Sequence, residues 1–542
     1  MNGSATPAGE RADVLVLGNG PVGQTAALLC ARWGLSVLLL DSRPERDPIG
    51  SKAICQQRDV LDVWDSVGTG AVAQEGVTWS RATTLYRESE LFSIELEDPG
   101  RSPLPPFVNI SQARTEELLD EAIAKQPLID VRWGHRVTAL EQDDDGVRVR
   151  CATGSAPGDG QQEVELSASY AIAACGAKGS EVRHLLGVDL AGRTFDDAFL
   201  ICDIRASLPG WETERRFYFD PPWNPGRQVL IHPCPDSVYR IDWQVEPSFD
   251  LEAERASGAL DRRIRQVIGD QPYEVVWSSV YRFHSRIVDR MRIGRVLLAG
   301  DVAHLVAPFG ARGLNSGVGD ADNAAWKIAF TLRGWAGEEL LDTYDVERHA
   351  AAVENLRVTT ATMDFLVPQT PEEHARRRQV LEAALHDPAA RRDVDSGRLA
   401  EPFWYIDSPL TVADGKRPWP GPPERGKAPA PVPGVILPDA PAADPDDPSV
   451  TRVRQMCRSG LLVLVGDGGD PVEYRSAVAG AVRSGVPVRV VRLADVDTEG
   501  VLRAALHAED DEVWLVRPDA YIAACVRRPA DLADAARRAL AL

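Results

Sequence analysis

The chain has 542 residues, of which 44% are hydrophobic and 26% are charged, and its formal net charge is −21. This length exceeds one ordinary hydrophobic core and predicts about three domains. The negative charge disfavours binding to nucleic acid or to an anionic membrane surface. No apolar run approaches the roughly 20 residues of a membrane-spanning helix, and the N-terminal segment lacks a signal-peptide core, so we expect a cytoplasmic protein.

Eight cysteines are scattered along the chain without a Cys-x-x-Cys pair. This spacing is typical of reduced cysteines that pack as small hydrophobes. The sequence therefore predicts neither a disulfide framework nor a metal site, and no Ser-His-Asp order suggests a nucleophilic triad.

The most informative stretch runs from Asp13 to Asp41. An apolar run over residues 14–17 predicts a buried parallel strand, and Gly18-Asn19-Gly20-Pro21-Val22-Gly23 follows at once. The next residues, 24–33, predict a helix, and a second apolar run ends in Asp41. This order of strand, glycine turn, helix, strand and terminal acid predicts a dinucleotide-binding βαβ unit.

Each glycine in this turn has a physical role. Gly18 makes the tight turn, Gly20 lets the backbone approach a pyrophosphate, and Gly23 allows close packing of helix on strand. The helix N-terminus offers free N–H groups to the phosphates, and Pro21 and Val22 of the preceding turn are counted among the cofactor-binding residues. Asp41 is placed to accept hydrogen bonds from an unphosphorylated ribose, which favours FAD or NAD over NADP as the tight ligand.

Alternating apolar and polar residues over 78–97 predict strands, and from about Gly187 to Arg282 the helical pattern mostly vanishes. We expect a largely antiparallel sheet there. Its aromatic residues suit, as a set, the wall of a pocket for a flat apolar ligand. They include Trp211, Phe217, Tyr218, Phe219, Trp223 and Trp243.

A second nucleotide element follows near residue 295. A buried strand over 295–299 leads into Gly300-Asp301, then into a loop from Ala307 to Asn315, and then into a helix expected over 316–333. This stretch resembles the Gly-Asp motif of FAD-dependent aromatic hydroxylases of the para-hydroxybenzoate hydroxylase type. The longer members are the nearer match, such as phenol, 3-(3-hydroxyphenyl)propionate and aromatic polyketide hydroxylases. The resemblance runs from about Ala12 to Val367, and more weakly through the tail.

The physical chemistry of the second element agrees with this resemblance. Asp301 can hydrogen-bond the ribityl hydroxyls of a flavin, and the glycine-rich loop from Gly310 to Asn315 lets backbone N–H groups approach the flavin ring. The positive end of the following helix then stabilises negative charge on the reduced ring.

The resemblance also implies roles for individual residues. Gly313, Leu314 and Asn315 would lie at the flavin ring, and Pro308 would lie between the ring and the substrate. Gln112 matches a flavin-contacting glutamine of the family. Lys52 stands where relatives usually carry arginine, so it keeps the charge but loses the planar fork.

One position departs from the family pattern. Relatives carry an Asp-Gly motif that serves both FAD and the visiting NAD(P)H, whereas this chain has Cys175-Gly176 and one inserted residue. We expect FAD binding to survive this change, with Cys175 packed as a small residue at a strand end. No second dinucleotide unit is found, so NAD(P)H, with NADPH favoured, would bind transiently.

The expected fold class is therefore α/β, with a discontinuous Rossmann-like FAD-binding domain, an antiparallel-sheet substrate domain and a C-terminal thioredoxin-like domain. The FAD-binding domain is expected over 1–185 and 275–365, with 78–105 adding strands to the substrate domain at 186–274. A helical connection would cover 366–427, and a Pro/Ala linker 428–449. The tail, 450–542, resembles the thioredoxin-like domain of the longer hydroxylases and should be redox-silent without Cys-x-x-Cys, with packing or dimerisation as its default role.

The implied reaction is hydroxylation of an aromatic substrate, phenolic or polyketide-type, with NAD(P)H and O₂ through a flavin C4a-hydroperoxide. No acid–base residue is assigned, because His232 and His284 fit ordinary surface or core histidines and His304 fits a structural role. Two alternatives stay open at this point. One is another flavin oxidoreductase on the same scaffold, and the other is a flavin-holding or ligand-sequestering protein that has lost turnover.

Overall fold

The computed structural model describes residues 10–46, 53–79, 81–153 and 162–542. In these ranges the strands, in chain order, are β1 Glu10–Leu17, β2 Val37–Leu40, β3 Cys55–Gln57, β4 Val77–Trp79, β5 Arg81–Tyr86, β6 Ser89–Glu95, β7 Phe107–Asn109, β8 Ile129–Arg132, β9 His135–Asp143, β10 Gly146–Thr153, β11 Gln162–Ala173, β12 Ala191–Ala206, β13 Glu214–Phe219, β14 Gln228–Cys234, β15 Val238–Val245, β16 Tyr273–Ile287, β17 Arg292–Ile293, β18 Val296–Leu298, β19 His304–Leu305, β20 Leu461–Val465, β21 Val488–Arg492, β22 Val513–Val516 and β23 Ile522–Val526.

The α-helices of the same ranges are α1 Pro21–Arg32, α2 Arg58–Asp65, α3 Ala71–Glu75, α4 Gln112–Ile123, α5 Ser180–Leu186, α6 Leu251–Ala256, α7 Ala259–Ile268, α8 Arg312–Leu332, α9 Glu339–Leu366, α10 Pro371–His386, α11 Val453–Cys457, α12 Pro471–Ala481, α13 Leu493–Val496, α14 Val501–Leu506 and α15 Pro529–Ala539. Short 3₁₀ turns lie at Gly300–Val302 and Ala390–Asp393. Pro368 lies between α9 and α10, and Pro371 is the first residue of α10, because proline cannot continue a helix but is tolerated in its first turn. Within the described part of the chain, no helix has both the length and the apolar character needed to cross a bilayer.

The first sheet carries the predicted βαβ unit. Its strand order is β17-β18-β11-β1-β2-β8, and β1 runs parallel to both β2 and β11. The apolar runs of β1 and β2 are buried because helices cover both faces of a parallel sheet. Helix α1 packs against α8 from the second nucleotide element, so segments about 290 residues apart in sequence form one core.

The second sheet has the order β19-β16-β12-β15-β14-β13-β5-β6 and is antiparallel except for the β13–β5 pair. One side packs on α7. The other side packs on Phe309 of the second nucleotide element, and we call it the inner face. We expected the chain to return to the FAD-binding domain at residue 275, but in the structure it does so only after residue 287. The reason is that β16 pairs along the length of β12 and stays in the second sheet up to Ile287.

The third sheet has the order β21-β20-β22-β23, with β20 parallel to β21 and antiparallel to β22. The segment 428–449, expected to be a linker, packs on this sheet. Leu437 and Ala440 are buried in its core, and Ile436 forms a bridge with Tyr521. The apolar residues between the prolines explain this difference, because they bury area that a free linker would expose.

Candidate active site

The dinucleotide turn has the geometry that its glycines predict. Gly18 has a φ of +111°, and a Cβ there would lie 2.5 Å from the carbonyl oxygen of Ala174. A Cβ on Gly23 would lie 1.8 Å from the carbonyl oxygen of Gly18. Around Gly20, in contrast, a Cβ would meet nothing within 4 Å. The fold therefore requires Gly18 and Gly23, whereas the open side of Gly20 is the one available to a ligand.

The start of helix α1 is free to bind phosphate. Gly20 caps the helix without a side-chain hydrogen bond, so the first N–H groups have no capping acceptor. Among the described residues, the side-chain nitrogen of Asn19 and the side-chain oxygen of Gln24 are buried without a partner. Buried polar atoms of this kind are ordinarily satisfied by a ligand or water. Of the two, the Asn19 side-chain N–H can donate to a pyrophosphate oxygen of a dinucleotide such as FAD, whereas the Gln24 oxygen can only accept from a donor.

Asp41 lies at the end of β2 and is almost fully buried. Its Oδ2 accepts a hydrogen bond from the backbone N–H of Asn19 at 2.8 Å, and the Arg43 guanidinium donates to both carboxylate oxygens. Burial acts to raise the pKa of Asp41, but the hydrogen bonds from Arg43 and Asn19 outweigh it and hold the pKa below its usual value. The carboxylate stays ionised, as ribose binding requires.

Sequence reasoning missed Arg46, which ties the dinucleotide turn to helix α4. Its guanidinium donates to the Asn19 carbonyl at 3.2 Å and to Glu116 at 2.6 Å, and it also pairs with Asp120. Gln24 donates to the same Asp120 at 2.7 Å. The partners lie some 70 residues away in sequence, so no local pattern marks this arginine.

Gln112 is the first residue of helix α4. Its side-chain oxygen accepts the backbone N–H of Ala53 at 3.2 Å, and its side-chain nitrogen donates to Glu116 at 2.8 Å. The amide therefore fixes the segment that follows Lys52. Lys52 itself lies outside the described residues.

The two nucleotide elements meet at Val22. A Cβ on Gly300 would lie 3.1 Å from the Val22 side chain, and one on Gly317 would lie 2.7 Å from it. Close packing of two glycines on one valine brings the phosphate end of α1 next to the start of α8. The predicted residues Pro21 and Asp301, which adjoin Val22 and Gly300 in sequence, are thereby brought near each other in the fold.

Asp320 anchors the Gly-Asp turn, and sequence reasoning did not assign it. This fully buried carboxylate accepts the backbone N–H of Gly300 at 2.9 Å, His304 Nε2 at 2.8 Å and Arg348 Nε at 2.7 Å. Burial raises its pKa, but Arg348 and His304 outweigh burial and keep the pKa below its usual value. His304 is therefore structural, as predicted, and Asp301 stands exposed directly after the anchored glycine.

Helix α8 begins four residues earlier than expected, at Arg312 rather than at residue 316. The residue before it, Ala311, has a φ of +60°. The loop predicted from Gly310 to Asn315 is therefore shorter than expected, and its residues from Arg312 onward are helical. Gly313 and Leu314 consequently lie in the first helical turn, where backbone N–H groups have no intrahelical acceptor. The positive end of α8 thus coincides with the residues expected at the flavin ring.

Asn315 is held by strand β3 rather than left open to a ligand. Its side chain accepts the N–H of Gln57 at 3.0 Å and donates to the carbonyl of Cys55 at 3.0 Å. Pro308 lies exposed just before α8, and its carbonyl accepts the N–H of Ala311 at 2.8 Å. The flavin contacts expected of both residues stay predictions.

The aromatic set expected to form one pocket wall is split between the two sides of the second sheet. Phe217 and Phe219 lie on the inner face, where Phe309 contacts the rings of Phe199, Phe217 and Phe283. The other four pack on the opposite side, toward α7. They are Trp211, Tyr218, Trp223 and Trp243. Side chains alternate along a strand, so residues adjacent in sequence cannot line one wall.

Cys175 lies two residues after the end of strand β11, close to the Gly-Asp turn. Its sulfur lies 2.5 Å from the position that a Cβ on Gly179 would occupy, so the glycine at 179 makes room for it. Burial raises the pKa of the Cys175 thiol to about 12, and the group stays protonated at neutral pH. The remaining cysteines are also free.

Comparison with known proteins now decides the family. An FAD-binding domain model matches residues 11–359, and a model of the C-terminal part of aromatic-ring hydroxylases matches residues 430–541. The chain belongs to the FAD-dependent aromatic-ring hydroxylases. It is therefore an enzyme, a flavoprotein monooxygenase of aromatic substrates, and its tight cofactor is FAD.

Individual relatives match between 64% and 98% of the chain. A 12-dehydrotetracycline 5-monooxygenase/anhydrotetracycline 6-monooxygenase of Streptomyces rimosus is 30% identical over 94% of this chain and 95% of its own. A flavin-dependent monooxygenase of Mycobacteroides abscessus is 32% identical over 64% of this chain and 73% of its own. The crystal structure of the flavin-dependent monooxygenase PieE, with FAD and substrate, shares the fold with a TM-score of 0.81, at 24% identity, over 98% of this chain and 99% of that one.

Proposed function

We propose that this aromatic-ring hydroxylase uses NADPH and O₂ to hydroxylate a phenolic ring that lies between Pro308 and the inner face of the second sheet. The observation that carries the proposal is the contact of both nucleotide elements at Val22, which aligns the phosphate end of α1 with the positive end of α8. When bound, FAD supplies the reduction of O₂ and the transfer of one oxygen atom to the ring.

The residues proposed to hold FAD follow the order of the cofactor. Gly18, Gly20, Pro21, Val22 and Gly23 would bind the pyrophosphate, and Asp41 the adenosine ribose. Toward the other end, Asp301 would bind the ribityl chain. The ring would rest on the first turn of α8, whose N–H groups stabilise negative charge. The remaining contacts in this proposal are Lys52, Gln112, Gly313, Leu314 and Asn315.

For the substrate we favour a polycyclic, polyketide-type phenol over a small phenol. The Streptomyces rimosus relative, 30% identical over 94% of the chain, is named for 12-dehydrotetracycline and anhydrotetracycline, whereas a 3-(3-hydroxy-phenyl)propionate/3-hydroxycinnamic acid hydroxylase of a Mycobacterium sp. is 26% identical over 97% of it. A cavity of about 220 Å³ lies beside the proposed ring site, although Pro308 and the inner face do not line it. Phe107, Leu96 and Leu399 line this cavity and pack beside Cys55 and Ala311, close to the start of α8. It offers a hydrophobic route to the proposed ring site.

NADPH is proposed to visit the same domain rather than to occupy a site of its own. The described chain contains one parallel βαβ unit of the dinucleotide type, and the sequence holds no second glycine fingerprint. Cys175, which replaces the family aspartate, is uncharged at neutral pH and removes one acceptor from the surface that NADPH would meet.

The C-terminal unit is proposed to be thioredoxin-like and non-redox. Its sheet order β21-β20-β22-β23, with a parallel β20–β21 pair followed by antiparallel strands, supports this assignment. Cys457 and Cys525 are both buried, and they lie too far apart in sequence to form a Cys-x-x-Cys pair. A packing role fits the ion pairs that Arg452, Arg454 and Arg458 make with helix α2. A homodimer and a cytoplasmic location complete the proposal as family defaults.

The test uses the FAD-loaded protein and a panel that runs from small phenols to anhydrotetracycline. We expect ligand-stimulated oxidation of NADPH, with matching O₂ uptake and a product heavier by one oxygen atom. NADH serves as the matched comparison for coenzyme preference. Anaerobic flavin bleaching that no phenol accelerates would favour the non-catalytic alternative, and a colourless protein without affinity for FAD would remove the proposal altogether.

A further inference from the structure

Three ionisable side chains stand side by side on the inner face of the second sheet. Arg215 lies on β13 and shares the side of Phe217, because residues two apart in a strand face the same way. His232 lies on β14 two residues beyond Leu230, and Asp242 on β15 pairs with Leu230 across the ladder. We call these three residues the inner-face cluster.

The cluster is largely buried, and its side chains lack partners. Arg215 is 3% exposed and His232 is 8% exposed, whereas Asp242 is half-buried. In the described ranges, no side-chain hydrogen bond or ion pair of Arg215, His232 or Asp242 is found, and the guanidinium of Arg215 lies 5.5 Å from the ring centre of Phe217. His232 Nδ1 and Asp242 Oδ1 are fully enclosed and unsatisfied. Buried charges are costly without a partner, so this arrangement is built for a polar group that arrives with a ligand.

The neighbouring ion pair between Arg240 and Asp203 is complete without the residues of the cluster. Arg240 lies across from His232 and donates two hydrogen bonds to Asp203, at 2.8 and 2.9 Å. That pair satisfies its own charges and leaves Arg215 and Asp242 available. A second guanidinium beside the cluster further disfavours a positive charge on His232.

The cluster lies on the side of the second sheet that faces the ring end of the proposed flavin site. Arg215 pairs in the ladder with Ala82, which packs with Cys55 and Ala311. The carbonyl of Cys55 is the acceptor for Asn315, in the first turn of α8. A flat ring lying between α8 and the sheet therefore has the cluster at its edge.

We propose that the inner-face cluster binds the ring hydroxyl of the substrate, with Asp242 accepting its proton and Arg215 holding the resulting oxygen anion. The phenolic O–H bond breaks, its electron pair stays on oxygen, and the proton moves to the Asp242 carboxylate, so no further reactant is needed. His232, as a neutral imidazole, supplies one more hydrogen bond to the same oxygen. This inference rests on the proposed function and adds the group that activates the ring.

The acid–base balance of the cluster suits proton transfer near neutrality. Burial raises the pKa of Asp242 to about 7, against the opposing effects of Arg240 and Arg215. A base with a pKa close to the working pH is the most effective proton acceptor. Burial also keeps the nearby thiols protonated, and raises their pKa to about 12. The other titratable groups around the inner-face cluster are Arg240, Asp203, Cys55 and Cys234.

The test uses p-nitrophenol, whose anion has a distinct visible absorption, with the FAD-loaded protein. We expect the bound probe to show the nitrophenolate spectrum at a pH where the free probe is mostly neutral. Arg215→Met should weaken binding by about ten- to a hundredfold, the value of a charge-assisted hydrogen bond, and should restore the neutral spectrum. Asp242→Asn should retain binding but remove the rise of kcat/KM near pH 7.

Arg216→Met is the matched control, because Arg216 neighbours Arg215 but lies on the opposite side of the strand, and it should change neither reading. A wild-type protein that does not bind the probe, or binds it with a neutral spectrum, overturns the inference, as does unchanged binding in Arg215→Met. The flavin spectrum and its bleaching by NADPH are recorded in the same samples. If these are normal the hydroxylase assignment stands, and if they are absent in the wild type the failure lies with the proposed function.

Discussion

Gly20 and Gly23 occupy the same turn but serve different partners. A Cβ on Gly23 collides with the Gly18 carbonyl, whereas a Cβ on Gly20 meets only open space. Gly23 is therefore needed for the chain itself to pack, whereas Gly20 is needed for a bound cofactor to approach the backbone. The two glycines can therefore be separated by experiment.

We predict that Gly20→Ala leaves the unfolding free energy of the FAD-free protein within about 0.5 kcal/mol of wild type. The same variant should weaken FAD binding by about tenfold or more, because the added methyl lies where the pyrophosphate approaches. Gly23→Ala should instead cost about 1–3 kcal/mol of stability by overpacking. Denaturant unfolding and a flavin-fluorescence titration measure the two effects. Equal stability losses in both variants would contradict this division.

Cys175 is the residue where this chain leaves its family. Its thiol has a pKa of about 12 through burial, so we expect alkylation by iodoacetamide at pH 8 to be far slower than that of a small free thiol. Cys175→Asp restores the family residue, and it should keep bound FAD and change the rate of flavin reduction by NADPH by less than about tenfold. Complete loss of reduction in this variant would show that the thiol itself has a part in catalysis.

Helix α8 connects the flavin site to the rest of the molecule through Asp320. One carboxylate holds the Gly300 N–H, His304 and Arg348, and Arg348 in turn donates to Tyr405 at 2.6 Å. The turn that presents Asp301 is thus fixed from inside the helix, before any ligand binds.

Replacing Asp320 with Asn should destabilise the protein by about 3–5 kcal/mol, because it leaves the buried Arg348 guanidinium without its anion. The exposed Asp342, paired with Arg292 and 74% accessible at its side chain, is the control, and Asp342→Asn should cost less than about 1 kcal/mol. Thermal unfolding with and without FAD gives both values. If the two variants lose the same stability, Asp320 does not anchor the turn.

At the level of the whole chain, buried ion pairs join the C-terminal unit to the FAD-binding domain. Glu347 of α9 accepts from Lys327 at 2.7 Å and from Arg517 of the third sheet at 2.9 Å, and all three side chains are almost fully buried. Asp62 of α2 pairs likewise with Arg452. The interface therefore depends on carboxylates that must stay ionised.

This interface predicts acid sensitivity. Burial acts to raise the pKa of Glu347, but Arg517 and Lys327 outweigh it and hold the pKa below its usual 4.5. A lowered pKa contributes stability that is present above pH 4.5 and lost as the pH falls toward the value in the folded protein. Glu347→Gln should cost about 3–5 kcal/mol at pH 7 and flatten this dependence.

Urea unfolding at several pH values between 7 and 3 checks the acid sensitivity. Glu354→Gln removes an exposed pair with Arg357 on the same helix and should shift stability by less than about 1 kcal/mol. Parallel pH curves for wild type and Glu347→Gln would show that other groups control acid unfolding.

Short sequence patterns predicted the nucleotide elements correctly in position, because the residues that form each element are close together in the chain. The apolar run, the three glycines and Asp41 each act within one βαβ unit, and Gly300 with Asp301 follows directly from its strand. The start of α8 was misplaced because Ala311, at φ +60°, ends the loop with a residue that gives no turn signal. The segment 428–449 was misassigned because proline content hides the apolar residues that pack it.

The sequence alone therefore predicted a dinucleotide ligand from short motifs with fixed spacing, and its resemblance to aromatic hydroxylases implied FAD and the class of reaction. Only the tertiary structure decided that Val22 joins the two motifs, that Arg46 and Asp320 anchor them, and that the aromatic set is divided between two sides of a sheet. It also brought Arg215, His232 and Asp242 together from three strands. Strand pairing and burial create such clusters, and neither is a property of any single stretch of sequence.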